Sequence, residues 1–387
     1  MGRGMKLTER VKNISPFYVM ELLEKARAIE AKGEDIVHME VGEPGFPTPS
    51  FVKKEAVRAI MQDRTFYTHS LGIPELRARV AEHYLETHRV NISAEQIIIT
   101  NGTSGAFLLL FGALLERGSL LAVSDPGYPC YKNIASFVDA DTLQIPVSED
   151  SRFEITVEHL ERAERSPDAL VLANPSNPTG VIYRNKGLSS LYKFLSLHNS
   201  FFIVDEIYSG LSYDKKPTTA LAISDNIIVV SGFSKTFAMT GFRLGWMVVP
   251  ESLVRPLQKC AQNLFISPPS ISQYAALSAF DNPGEIDIMR KTYKERRNFM
   301  VPRLQNLGFS IPLYPDGAFY IYAGIEKWNI DSMDFVNRAL TEARVAITPG
   351  YDFGSFRASA HVRFSYTENL EKLQTGCDRL ELWLKTL

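Results

Sequence analysis

Six short apolar runs, each closed by polar or turn-forming residues, recur between Gln96 and Pro250: QIIIT ending at Thr100, LLAVSD at Asp125, ALVLAN at Asn174, FFIVDE at Glu206, NIIVVSG at Gly232 and GWMVVP at Pro250. A run that is apolar at nearly every position has no solvent face. It reads as a strand buried on both sides, as in a parallel or mainly parallel sheet. Stretches of helical character lie between several of them, such as SGAFLLLFGALLERG after the first and GLSSLYKFLSLHN after the third. That alternation predicts an α/β domain with crossover helices. At 387 residues the chain also exceeds what one hydrophobic core usually holds, so two domains are expected.

The flanks differ from this middle. The N-terminal side reads as a helix, FYVMELLEKARAIEAKG, and a loop, VGEPGFPTP. After a long helix around Glu285–Leu307, the pieces FSIPLYP, GAFYIYAG, VAITPG and HVRFSY alternate with helical stretches. The reading is a large domain over 50–280 and a smaller α+β domain assembled from 1–49 and 281–387. The opening MGRG is set aside.

Several function classes fall away. Hydrophobic residues make up 45% and charged residues 22%, with a formal net charge of −2, so no nucleic-acid partner is expected. MGRGMKLTER lacks the apolar segment of a signal peptide or anchor, and no run approaches the roughly 18 apolar residues of a membrane span. Cys130, Cys260 and Cys377 are odd in number and lack CxxC spacing, which fits a reducing, cytoplasmic setting without disulfides or zinc. His38, His69, His88, His198 and His361 form no HxxxH or HExxH pattern, so no metal site is predicted. The basic residues of KTYKERRNF fall at helical spacing and read as a solvated face.

In an open α/β sheet, ligands bind beyond the carboxyl ends of the strands. Here those ends lead into NGTSGA, PGYPCY, NPSNPTG, DEIYSG and SGFSKTFAMTGFR. Taken singly, each has an ordinary explanation as a turn, a helix cap or a surface lysine. Five in succession after buried strands do not. Asp205 follows FFIV, so it is expected to be buried, and a buried carboxylate is costly unless paired.

In order and spacing, Asn177, Asp205, Tyr208, Lys235, Arg243 and Arg363 resemble the class I/II aminotransferases, fold-type I enzymes dependent on pyridoxal 5'-phosphate (PLP), and within them bacterial and archaeal aspartate-type members. The likeness runs from about Ile14 to the C-terminus. It implies a mainly parallel seven-stranded sheet in the large domain. It also implies transfer of an amino group from an aspartate-type, neutral or aromatic L-amino acid to a 2-oxo acid such as 2-oxoglutarate, in ping-pong fashion through pyridoxamine phosphate.

The resemblance further implies a set of roles. Lys235 is the Schiff-base lysine and later the proton carrier, which requires a lowered amine pKa. Asp205 pairs with the protonated pyridine nitrogen. Asn177 and Tyr208 donate to the phenolic oxygen, and Tyr128 stacks on the ring. Gly102, Thr103, Ser104, Ser234 and Arg243 hold the phosphate, the first three at a strand–helix junction. Gly232 stands where relatives often have a serine, which removes one phosphate contact. Tyr67, in FYTHSLGIPELR, corresponds to a tyrosine that reaches the neighbouring subunit's phosphate, so a homodimer with shared sites is implied. Arg363 clamps the substrate α-carboxylate, helped by the Gly42 backbone N–H. Gly45 replaces the aspartate of the usual GEPDF and is read as local loosening. Near SGAFLLL there is no lysine of the kind some relatives use for dicarboxylates, and Phe17, Tyr18 and Phe107 suggest a neutral or aromatic donor. Two alternatives remain open: a PLP carbon–sulfur β-lyase of the same fold, and a non-catalytic effector-binding module. The second is disfavoured because the chain carries no N-terminal helix-turn-helix segment.

Overall fold

All six apolar runs form strands of one sheet. The computed structural model describes residues 7–12, 14–214 and 218–387, so the opening MGRG lies outside them. After a short first strand, β1 (Val37–His38), the chain builds β2 (Ile97–Thr100), β3 (Leu120–Asp125), β4 (Asp141–Pro146), β5 (Ala169–Ala173), β6 (Phe201–Asp205), β7 (Ile228–Gly232) and β8 (Gly245–Val248). These last seven lie in the order β2-β8-β7-β6-β5-β3-β4. Neighbours from β7 to β4 are parallel, while β8 is antiparallel to both β2 and β7.

The continuous apolar runs have a simple cause. Side chains alternate across a strand. Leu170, Leu172, Phe202, Val204 and Val229 enter a core on one face, and Val171, Ile203, Ile228 and Val230 enter a second core on the other. Full burial of such side chains is worth about 1.5–3 kcal/mol each, against about 1–2 kcal/mol per residue to order the backbone. A strand buried on both faces offsets its own ordering. The edge strand β4 does not: of its side chains only Ile145 is buried, so it depends on its ladder with β3. It carries no apolar run for the same reason.

The helices read from the sequence are present at Tyr18–Glu30, Gly102–Leu114, Asn185–Leu197 and Pro283–Leu307. A separate three-stranded antiparallel sheet follows, β11 (Thr348–Pro349)-β12 (His361–Ser365)-β9 (Tyr320–Gly324), and β10 (Val345–Ala346) pairs in parallel with β1. FSIPLYP contributes only an isolated bridge, Ser310 to Gly324. A third core joins the N-terminal helix (Leu22, Ala26) and β1 to the C-terminal elements. We propose the boundary between large and small domains near residues 49/50 and 280/281 on this distribution of sheets and cores.

The KTYKERRNF reading needs correction. Arg296 and Arg297 are each 6% exposed, not solvated. Arg296 donates to the Thr367 carbonyl at 2.5 Å and lies over the Phe46 and Tyr293 rings. Arg297 donates to the Pro315 carbonyl at 2.8 Å and to Asp214 at 3.0 Å. Helical spacing locates a face, but a guanidinium that finds carbonyls and aromatic rings can be buried along it.

Candidate active site

The loop after β7 carries Lys235, whose amino group donates to the Gly42 carbonyl at 2.6 Å. The lysine therefore sits where the strand ends meet the VGEPGF loop. Burial pulls its pKa down to about 8, with Glu43 opposing, Arg363 and Arg243 adding, and Asp205 opposing. An amine in that range exchanges a proton near neutral pH.

Asp205 closes β6 and is 3% exposed. The Tyr131 hydroxyl donates to its Oδ2 at 2.7 Å and the Ile207 N–H to its Oδ1 at 3.1 Å. Burial still raises the carboxyl pKa to about 6, although both bonds and the Lys235 charge pull the other way. Such a carboxylate is under-neutralised and favours a cation set against it.

Arg363, on β12, is 3% exposed. It donates to the Glu40 carbonyl at 2.5 Å, to Thr348 Oγ1 at 3.3 Å and to Asn177 Oδ1 at 3.1 Å. Its guanidinium lies 4.2 Å from the Tyr320 ring centre and 4.8 Å from that of Phe353. Its Nε is a buried donor with no partner among the described residues. The Tyr208 and Tyr320 hydroxyls bond each other at 2.8 Å, and burial raises both phenol pKa values.

At the opposite end, Gly102 opens the helix Gly102–Leu114 with a φ of +68°, a conformation that favours glycine. A Cβ there would stand 2.7 Å from Arg243 Nη2. The guanidinium thus lies against the first turn, where backbone N–H groups lack helical partners. The cavity enclosed by these groups measures about 290 Å³, and Gly42, Thr103, Ser104, Tyr128, Asn177, Asp205, Tyr208, Ser234, Lys235, Arg243 and Arg363 all line it. Tyr67 does not: it is 80% exposed and is not part of this chain's cavity lining.

Residues 34–380 match the model of the family "Aminotransferase class I and II". The chain belongs to the class I/II aminotransferases. Valine–pyruvate aminotransferase of Mycobacterium tuberculosis is 35% identical over 98% of this chain and 99% of its own length. Aspartate aminotransferase of Thermotoga maritima is 34% identical over 98% of this chain and 100% of its own. A crystal structure of an aminotransferase from Mycobacterium tuberculosis superposes with a TM-score of 0.96 at 34% identity, covering 99% of this chain and all of that one.

This aminotransferase is PLP-dependent, as the family is, and its cavity fits that group. A phosphate would find the Gly102 turn and Arg243, a protonated ring nitrogen would find the under-neutralised Asp205, and an aldehyde would find a lysine of lowered pKa. The unpartnered Arg363 Nε would be a further donor for a substrate carboxylate.

The structure corrects three expectations. Phe107 is 1% exposed and packs on Tyr131 at 4.9 Å inside the core, so it lines no side-chain pocket. Tyr18 is also absent from the wall, where Phe17 stands as expected together with Val19 and Met20. They are seated by Asp352, which accepts from the Tyr18 N–H at 2.7 Å and the Val19 N–H at 3.0 Å at the start of the helix Tyr18–Glu30. Gly45 is not a loosened position, because a Cβ there would collide with the Thr367 carbonyl. The reading of Gly232 is not among these corrections: the residue does not line the cavity, and a Cβ there would stand 3.1 Å from Gly245 Cα and 3.2 Å from the Leu244 carbonyl.

Sequence reasoning also passed over residues that matter. Tyr131 lies three after Tyr128, and their rings meet edge to face at 5.3 Å. Tyr320, in GAFYIYAG, explains Gly42: any side chain at 42 would strike its hydroxyl. Glu40, fully buried, accepts from His38 Nδ1 at 2.7 Å while its carbonyl holds Arg363. No local pattern announces that contact.

Proposed function

We propose that this PLP-dependent aminotransferase takes neutral L-amino acids, aromatic ones included, as donors and a 2-oxo acid as acceptor. The relatives do not decide the donor, since enzymes named for valine and for aspartate match this chain almost equally. The carrying observation is the charge inventory of the cavity. Its lysine and arginines are Lys235, Arg243 and Arg363, each already suited to the cofactor or the α-carboxylate. None remains among the lining residues for a side-chain carboxylate, whereas Phe17, Val19, Met20 and Val41 offer apolar wall and Glu43 adds negative charge.

In this reading each residue acts in a defined way. PLP, when bound, supplies a ring that withdraws electrons from the substrate Cα–H bond. Lys235, half neutral at about pH 8, would take and pass on the Cα proton. Asp205 would keep a ring nitrogen protonated by ion pairing. Asn177 and Tyr208 would serve as donors to the phenolic oxygen, with Tyr128 as the aromatic neighbour of the ring. Gly102, Thr103, Ser104, Ser234 and Arg243 would hold the phosphate. Arg363, braced by Glu40, Thr348 and Asn177, holds the α-carboxylate with the Gly42 N–H.

We further place the enzyme in the cytoplasm as a homodimer. All three cysteines are free, and no helix among the described residues is long and apolar enough to cross a membrane. The exposed Tyr67 is the group that would reach a partner's phosphate site. A panel of amino donors compared by kcat/KM tests the donor reading. Valine, leucine or phenylalanine should exceed aspartate by at least about tenfold, the order expected when an apolar wall and an unmatched carboxylate compete. A strict preference for aspartate sinks it.

A further inference from the structure

A second cavity, of about 410 Å³, lies behind the catalytic one. Three residues that line it directly follow residues of the catalytic cavity: Glu206 follows Asp205, Ser209 follows Tyr208 and Thr236 follows Lys235. The two hollows therefore share their dividing wall, and that wall is the pair of loops bearing the site. The loops are in close contact, since a Cβ at Gly210 would run into the Thr236 side chain.

The lining of this second cavity is unlike that of the first. Tyr84, Phe237, Trp246 and Phe280 give it aromatic walls. Trp246 Nε1 donates to the Tyr84 hydroxyl at 3.2 Å, and the Phe237 and Phe280 rings meet edge to face at 5.1 Å, so these walls are fixed. The floor carries Glu206, 3% exposed. Its bonds from Thr219 Oγ1 (3.1 Å) and the Ala220 N–H (2.7 Å) both fall on Oε1, and Glu206 is among the residues that border the cavity. Burial raises its pKa to about 7, so it too is short of positive charge. At the mouth, Glu86 and Asp287 add two carboxylates; Arg290 is the one guanidinium, already bonded to Asp287 at 2.7 Å, and His83 and His88 complete the ionisable lining.

We infer that this cavity is an accessory binding site for a small amphipathic organic cation, an aryl-bearing ammonium whose ring packs among Trp246, Phe237 and Phe280 and whose charge faces Glu206. Aromatic walls and a buried carboxylate recognise that combination, through burial of the aryl ring and ion pairing of the ammonium, better than a neutral or anionic ligand. Nothing in the catalytic assignment requires it, so the site stands or falls separately from the donor reading.

Benzyltrimethylammonium is a suitable probe because a quaternary nitrogen cannot condense with an aldehyde. Titrated into the PLP-loaded enzyme and followed by calorimetry, it should bind once per chain. Affinity should fall at least tenfold in Glu206→Gln and in Ile286→Trp, the latter adding bulk at an uncharged residue of the lining. Uncharged benzyl alcohol should bind at least tenfold more weakly. Saturating 3-phenylpropanoate, an unreactive carboxylate that suits the Arg363 pocket, should leave the cation's affinity unchanged. Displacement by that acid, equal binding of benzyl alcohol, or unaltered binding in Ile286→Trp would each overturn the assignment.

Discussion

Asp205 and Glu206 are adjacent at the end of β6, both buried, and both have carboxyl pKa values raised by that burial. They face opposite sides of the sheet. Asp205 looks into a cavity with a lysine, two arginines and several phenols. Glu206 looks into a cavity of aromatic rings, and its hydrogen bonds tie down the turn at Thr219–Ala220. Residue type and burial are nearly identical, so neither distinguishes a group of the reaction centre from its neighbour. What does is the set of charges brought opposite each one, and those charges come from distant parts of the chain.

The harshest way to probe the front side is to remove Lys235. Lys235→Ala should lower turnover by on the order of 10⁴-fold or more, because both the covalent anchor and the proton carrier are lost. PLP should still bind non-covalently through Arg243, Asp205 and the Gly102 turn. Equilibrium dialysis with PLP and single-turnover absorbance, in which the cofactor band is bleached by donor and restored by 2-oxo acid, measure the two effects. Normal turnover in this variant would defeat the assignment of the reaction centre.

The two carboxylates can then be set against each other. Asp205→Asn should lower kcat by roughly 10²–10³-fold, the order seen when one fixed electrostatic partner of the reacting group is removed. Glu206→Gln, one residue along the same strand, should keep kcat within about threefold. Equal losses in the two variants would mean that the strand end, not the side it faces, is what catalysis requires.

Much of the front side was legible in the sequence because its residues follow strands that announce themselves. β5, β6 and β7 are apolar on both faces, and their ends are therefore easy to find. Where burial is one-sided or paid to a different element, legibility fails. The edge strand β4 has exposed positions and no apolar run, and β8 matches its parallel neighbours in composition while running antiparallel to them. Arg296 and Arg297 look like surface residues until Phe46, Tyr213 and the carbonyls of Pro315 and Thr367 come to them. Phe107 looked like pocket wall because its motif ends a strand, yet its helix turns it into the core. The arm that does supply the wall, Phe17 to Met20, is positioned by Asp352, more than 300 residues away. Such contacts are set by the tertiary fold, and no local periodicity encodes them.

The finest distinction between the two carboxylates is the pH range over which each weakens the fold. Asp205 rises from 3.8 to about 6 and Glu206 from 4.5 to about 7. In both cases the folded chain holds its proton where the unfolded chain has already released it. Stability is therefore greatest below the unfolded pKa, declines as pH rises through the folded pKa, and is flat above it. In cofactor-free protein the decline should span about pH 4–6 for Asp205 and about pH 4.5–7 for Glu206, each on the order of 2–3 kcal/mol at most. Replacing either by its amide removes its own limb only. Urea unfolding at pH 4, 6 and 7.5 should thus show Glu206→Gln still gaining on the wild type between pH 6 and 7.5, while Asp205→Asn makes most of its gain by pH 6. Adding PLP should abolish the Asp205 limb, because the ring nitrogen then pairs with that carboxylate, and leave the Glu206 limb in place. If both limbs respond equally to PLP, the two sides of the strand are electrostatically one site, and the contrast between them dissolves.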